Sequence, residues 1–194
     1  MTEDPTNTSP AFDDQDPVWP IVESVTEYET GWYTGGYDRV AQPDGTHKRY
    51  YWANLPAAVV VVAVDDDDVV FVEQYRPTVR RSFLELPAGI VEADESYAEA
   101  GARELREETG LDPASVTVLQ EYWVATGVLR HRRAIVYAED FTAVEPDRDG
   151  NEFLTIRRIP VADALATARS EPANDATISG LLIAAADRNL PIGE

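Results

Sequence analysis

Residues 89–111 read GIVEADESYAEAGARELREETGL, and the spacing of acids, glycines and aliphatics in this stretch decides the fold around it. From Ser96 onward the segment has no proline, and its residues three and four apart fall on common faces of a helix. Glu104, Glu107 and Glu108 then cluster on one side, and Ala98, Ala102 and Leu105 form an apolar stripe on another. Asp94 or Ser96 is placed to cap the helix start, and Gly110 suits its C-terminal end, where a left-handed residue is often needed. Like charges four apart cost a helix a few tenths of a kcal/mol. A hard divalent cation is the natural compensation, since Mg²⁺ accepts one or two carboxylates, keeps several waters and shares the oxygens of a substrate phosphate. The bland alternative is a solvated acidic helix face.

Composition bounds the rest of the chain. Its 194 residues suffice for one domain with a substantial core and a small appendage. There are 36 acidic residues against 16 basic ones, for a formal charge of −20. Lys48 is the single lysine, and the other cations are arginines. That balance argues against a nucleic-acid backbone or an anionic membrane as partner. The acidic, lysine-poor surface looks like that of proteins from salt-loving cells, because at ~1 M salt the screening length is roughly 3 Å and self-repulsion is largely removed. Without cysteine there is no disulfide framework, thiol catalysis or cysteine-based zinc site. No apolar run approaches the ~20 residues that span a bilayer, and the N-terminal residues lack a basic-then-apolar signal region. The expectation is a soluble, cytoplasmic protein with no membrane partner.

Three regions are expected. Residues 1–17 hold three prolines, five acids and little to bury, and read as a disordered acidic tail. Residues 18–55 contain strand-like runs punctuated by Gly31 and by the Pro43-Asp44-Gly45 turn, predicting a small antiparallel meander. Such a meander is too small to be stable alone and must lean on a neighbouring domain or a second subunit. Residues 56–194 form the third region. There AAVVVVAV at 57–64 and VVFVEQYR at 69–76 flank four aspartates and read as a hairpin, the first strand buried on both faces. Further strands fall at 115–125, 132–141 and 152–159, and helices at 161–170 and 175–188. Helices flanking a mixed sheet give an α/β (α+β) layered domain, the sheet sandwiched between helices.

Residues 89–111 also match the pattern G-x5-E-x7-R-E-U-x-E-E-x-G-U, where U is aliphatic, at Gly89, Glu95, Arg103, Glu104, Leu105, Glu107, Glu108, Gly110 and Leu111. On that pattern the chain resembles the Nudix hydrolases, which hydrolyse a diphosphate linked to another group with the help of divalent metal. Around the motif it is similar to the ADP-ribose pyrophosphatase branch, through Pro43-Asp44-Gly45, the apolar strand at 57–64, Glu73-Gln74-Tyr75-Arg76 and Glu85-Leu86-Pro87-Ala88-Gly89. The resemblance covers residues 21–188 and implies the Nudix fold. It further implies that Mg²⁺ or Mn²⁺ is held by Glu104, Glu108 and the main-chain carbonyl of Ala88, with Glu107 as a nearby or additional ligand. Glu95 and Arg103 would orient those carboxylates. Arg76 would contact the substrate diphosphate, or else form an ion pair with Glu73 or Glu85.

The candidates for the catalytic group itself are Glu152, in a D-G-N-E context resembling the family's late-loop base, and, failing it, Glu107, with Arg103 in support. Trp32, Tyr33 and Tyr37 would stack the substrate's base, build a homodimer interface through the N-terminal sheet, or simply pack the meander. The chain departs from the branch at residues 125–131, ATGVLRH, where members carry S-P-G followed by a glutamate. Arg130, His131, Arg132 and Arg133 there make the densest basic cluster of the chain. Either this cluster, with Arg130 foremost, holds an anionic substrate, or it pairs with surface acids. The implied substrate is a nucleoside diphosphate sugar, ADP-ribose giving AMP and ribose 5-phosphate. The competing readings are a house-cleaning hydrolase of nucleoside triphosphates or dinucleoside polyphosphates, and a non-catalytic nucleotide-sensing regulator.

Overall fold

A computed structural model describes residues 18–146 and 153–193. The tail at 1–17 and Glu152 lie outside the described residues. The strands and helices divide between two compact units. The first includes the N-terminal region up to Ala57 together with Trp123–Arg132, and the second holds Ala58–Tyr122 and everything from Arg133 onward.

In the first unit, β1 (Ile21–Glu29), β2 (Thr34–Ala41) and β3 (His47–Asn54) form the antiparallel meander that the turn residues predict. Gly45 takes the left-handed conformation in the P-D-G turn, and the Asp44 carboxylate accepts the Thr46 N–H at 2.9 Å. A short strand from far along the chain, β9 (Leu129–Arg130), extends this sheet by running parallel to β3. The first unit thus recruits residues beyond the sequence-defined meander.

The second unit contains β4 (Ala58–Asp65), β5 (Asp68–Arg76), β6 (Arg81–Glu85), β7 (Ala88–Ile90), α1 (Tyr97–Thr109), β8 (Leu111–Trp123), β10 (Arg132–Ala143), β11 (Leu154–Pro160), α2 (Val161–Ala168) and α3 (Asp175–Arg188). Residues of β8 and β10 at the boundary belong to the first unit. The sheet order is β11-β5-β4-β10-β8, with β6 added to β5 and β7 to β4. It is a mixed sheet: β10 runs parallel to β4, whereas β5 and β7 run antiparallel to it. The four aspartates at 65–68 make the tight β4–β5 connection, closed by the Asp65–Asp68 pair.

Alternation along β4 builds a core on each face of the sheet. Val59, Val61 and Ala63 pack with Ala100 and Leu105 of α1, and Val60 and Val62 pack with Ala164, Leu165, Leu181 and Ala184 of α2 and α3. Val59, Val61 and Val62 are fully buried, and each such side chain contributes about 1.5–3 kcal/mol relative to exposure. Helices therefore cover both faces, as expected of a continuous apolar strand.

The apolar stripe read for α1 requires correction. Ala98 and Ala102 are only half-buried, and the face turned to the sheet is Ala100, Gly101 and Leu105. The reason is close approach: a Cβ on Gly101 would lie 2.7 Å from Val136 Cγ2, so α1 seats its backbone there where a larger residue would hold it off. Among the described residues no helix is long and apolar enough to cross a membrane.

Candidate active site

The motif folds into β7, a turn and α1. Ser96, not Asp94, caps α1: its hydroxyl accepts the Glu99 N–H while the Glu99 carboxylate accepts the Ser96 N–H at 2.8 Å, a reciprocal capping box. At the other end Gly110 adopts φ 72°, and its N–H donates to the Arg106 carbonyl at 2.9 Å. These ends fix the helix phase. Glu104 and Glu108, one turn apart, are buried at 8% and 4% exposure, and Glu107 is half-buried beside them.

Arg103 organises the acids. Its Nε donates to Glu95 Oε1 at 2.9 Å, Nη1 donates to Glu104 Oε1 at 2.8 Å and Glu107 Oε2 at 3.1 Å, and Nη2 donates to Glu95 Oε2 and the Ile90 carbonyl, both at 2.9 Å. The hydrogen bond to Glu95 is the largest of the effects that hold the guanidinium above the usual arginine range, with burial opposing it. The same bond holds the Glu95 carboxyl below its ordinary value. The expected Glu95–Arg103 pair is thus present. It also offsets part of the carboxylate repulsion that the sequence assigned to a cation.

Gly89 sits directly against this group. A Cβ on Gly89 would lie 1.9 Å from Glu104 Cδ, so the carboxylate occupies the space a side chain would fill. Ala88 begins β7, which lies antiparallel to β4 with Ala88 opposite Val60. Both residues line a cavity of about 310 Å³ that also includes Arg76, Glu85, Arg133 and Asn174.

On that cavity's wall Glu85, 9% exposed, gathers several donors. Its Oε2 accepts Arg76 Nε at 2.9 Å, Arg76 Nη2 at 2.6 Å and Gln74 Nε2 at 2.9 Å, and its Oε1 accepts Asn174 Nδ2 at 3.0 Å. Asn174 is also the N-cap of α3, where its Oδ1 accepts the Thr177 N–H at 2.8 Å. The Thr177 hydroxyl in turn accepts the Leu86 N–H at 3.2 Å. Sequence reading missed this bracing of Arg76 by α3. An N-cap asparagine before a helix was the available signal, but nothing local linked it to Glu85.

The basic cluster at 130–133 is split. Arg130 belongs to the first unit, donates from Nη2 to Asp38, and stacks 4.0 Å over the Trp52 ring. Asp38 is itself buried and accepts Ser24 Oγ at 2.7 Å and Trp52 Nε1 at 3.1 Å. His131 Nδ1 is 2.8 Å from the Pro56 carbonyl, and Arg132 lies 5.6 Å over the Trp123 ring. Trp32, 67% exposed, occupies the β1–β2 turn, where Thr30 Oγ1 accepts its N–H at 3.1 Å. Trp32 and Arg130 are therefore first-unit residues, whereas Arg76, Ala88 and the α1 glutamates are second-unit residues.

A larger cavity of the second unit, about 610 Å³, is lined by Asp65, Asp66, Glu139 and Asp140 with Tyr137 and Phe141. Four carboxylates and no cation in its lining make it unreceptive to an anion, so the smaller, arginine-bearing cavity is the candidate for phosphate chemistry.

Comparison with known proteins defines the family. The NUDIX domain family matches residues 54–179, and the chain belongs to the Nudix family. It is 30% identical to an ADP-ribose pyrophosphatase of Bacillus subtilis over 140 residues, 71% of this chain and 76% of that one. To an ADP-ribose pyrophosphatase of Mycobacterium tuberculosis it is 35% identical over 150 residues, 75% and 72% of the two chains. These relatives place it in the ADP-ribose pyrophosphatase-like branch. A crystal structure of an ADP compounds hydrolase superposes with a TM-score of 0.81 at 23% identity, over 88% of this chain and 94% of that one, a likeness of fold.

Proposed function

We propose that the protein hydrolyses the diphosphate of ADP-ribose, water attacking one phosphorus as the bridging P–O bond breaks, to give AMP and ribose 5-phosphate. The observation that carries this reading is one cavity of the second unit lined by Arg76, Ala88 and Gly89 together, with the Glu104 carboxylate packed on Gly89. Nudix hydrolases generally depend on divalent metal. Glu104 and Glu108 lie one turn apart on the buried face of α1, a donor set that suits Mg²⁺ or Mn²⁺, because such an ion needs only one or two carboxylates and leaves room for waters and phosphate oxygens. Glu104, Glu108 and the Ala88 carbonyl would hold it, with Glu107 adjacent. Bound there, the ion would neutralise the diphosphate and lower the pKa of the attacking water.

The protein's own groups supply the rest. Arg103 locks the Glu104 and Glu107 rotamers, Arg76 presents a guanidinium to the diphosphate, and Glu152 takes the water's proton, with Glu107 as the alternative base. From the first unit, Trp32 is exposed enough to stack on a base, and Arg130 is assigned to substrate with its bond to Asp38 retained. The proposal extends to a cytoplasmic, salt-adapted homodimer that associates through the N-terminal sheet, where Tyr28 and Tyr51 join Trp32 as exposed rings. The deciding experiment is a substrate panel with AMP and phosphate detection. ADP-ribose should show a higher kcat/KM than ATP, dGTP or diadenosine polyphosphates; a preference for the triphosphates would replace this reading with house-cleaning hydrolysis.

A further inference from the structure

The four-residue basic cluster does not act as one patch, and its last member stands apart. Arg133 enters the second unit on β10, opposite Ala58 of β4, and exposes only 13% of its side chain. It lines the same cavity as Arg76 and Gly89. Among the described residues one side-chain hydrogen bond tethers it: Nη1 donates to Asp175 Oδ2 at 2.8 Å, and Asp175, at the first turn of α3, is 71% exposed.

Two facts make this ion pair a poor reason for burying an arginine. A carboxylate that stands mostly in water contributes little to stability as a partner. A guanidinium also carries five N–H donors, and Arg133 engages one of them among the described residues. A cationic fork with open donors in a cavity beside Arg76 is what a bidentate oxyanion requires. In a chain of net charge −20, attraction for an anion has to be generated locally.

We infer that Arg133 is a second anion-binding residue of this cavity, closing with Arg76 on the two phosphates of the substrate. Asp175 then acts as a tether that keeps the guanidinium turned into the cavity while it is empty. This deepens the diphosphate reading above and rests on it for the substrate's identity, but not for the presence of an anion site.

The test compares Arg133→Gln, Arg133→Lys and Asp175→Asn in the full chain, using two probes. Titration of inorganic pyrophosphate in chelator, followed by calorimetry, should show Arg133→Gln weakening binding by at least about 10-fold, the scale of one charge-assisted hydrogen bond. Kinetics on ADP-ribose should show KM rising by a similar factor with kcat little changed. Arg133→Lys should fall between wild type and Arg133→Gln. Asp175→Asn, which removes the tether but keeps the cation, should leave affinity equal or tighter. A structural ion pair would instead make Arg133→Gln and Asp175→Asn equivalent, with matched losses of melting temperature, and that result overturns the inference. So does pyrophosphate binding that is absent from the wild type or unchanged in Arg133→Gln. If ADP-ribose is not turned over but pyrophosphate binding still requires Arg133, the substrate reading fails and the anion site stands.

Discussion

Substituting Gly89 with alanine tests the site more sharply than removing a carboxylate, because the variant keeps every charged group. No left-handed backbone is required of Gly89, so alanine is acceptable to the chain itself. The obstacle is one carboxylate: the new Cβ would stand 1.9 Å from Glu104 Cδ, 2.0 Å from Oε1 and 2.3 Å from Oε2. Non-bonded carbon atoms need about 3.5 Å, so the carboxylate must retreat by roughly 1.5 Å. That displacement stretches the 2.8 Å bond from Arg103 Nη1 to Glu104 beyond hydrogen-bonding range. Such a bond to a charged group is worth about 1.5–3 kcal/mol. Arg103 keeps Glu95, Glu107 and Ile90, so the lower end applies, and at roughly 2–4 °C per kcal/mol for a chain of this size the melting temperature should fall by only a few degrees.

Activity should respond differently. A catalytic group misplaced by about 1 Å can cost about 10²-fold in rate. Gly89→Ala should therefore lose ADP-ribose hydrolysis by roughly two orders of magnitude while remaining folded, measured as AMP release alongside a thermal melt. Activity within a factor of a few of wild type would refute the placement of Glu104 at the chemistry. A collapse of the melting temperature would show instead that Gly89 serves packing.

Other outcomes follow from the same arrangement. Glu104→Gln and Glu108→Gln should each reduce turnover by at least ~10²-fold without unfolding, the scale of losing transition-state charge stabilisation; near-normal turnover by either folded variant, or full activity in excess chelator, removes the metal assignment. Glu152→Gln should lower kcat far more than KM if Glu152 is the base, and an unchanged kcat passes the role to Glu107. The charge of −20 with a single lysine predicts that the melting temperature, measured in chelator, rises as KCl increases from about 0.1 M towards ~2 M; a flat or falling curve would show that the acidic surface is not a salt adaptation.

Local chemistry made much of the second unit readable. The Ser96 and Gly110 caps, the 65–68 turn and the limits of α3 are each written within a few residues of where they act. Two things were hidden. Periodicity assumes that buried helix positions are apolar, so it could not anticipate that Glu104 and Glu108 lie on the buried face while Ala98 and Ala102 are only half-buried. Glu85 meets Asn174 across 89 residues, and Arg130 meets Asp38 across 92; no local signal encodes pairings formed only when distant strands join one sheet or helix. The run at 130–133 shows the same limit, because adjacent arginines were separated by which sheet their segment joins.

Donor accounting then separates the arginines by role, where proximity to the motif does not. Arg103 has all five N–H donors directed at Glu95, Glu104, Glu107 and Ile90, so it has none left for a substrate and acts by holding carboxylates in place. Among the described residues Arg76 directs Nε and Nη2 to Glu85 and retains Nη1, and Arg133 directs one donor to Asp175 and retains the others. Among the described residues the two arginines of the cavity, Arg76 and Arg133, are therefore anchored but unsaturated, and Arg103 of α1 is saturated. Lysine, with three donors and no planar fork, could replace part of what Arg133 does for an anion, yet it could not reproduce the five-bond brace of Arg103.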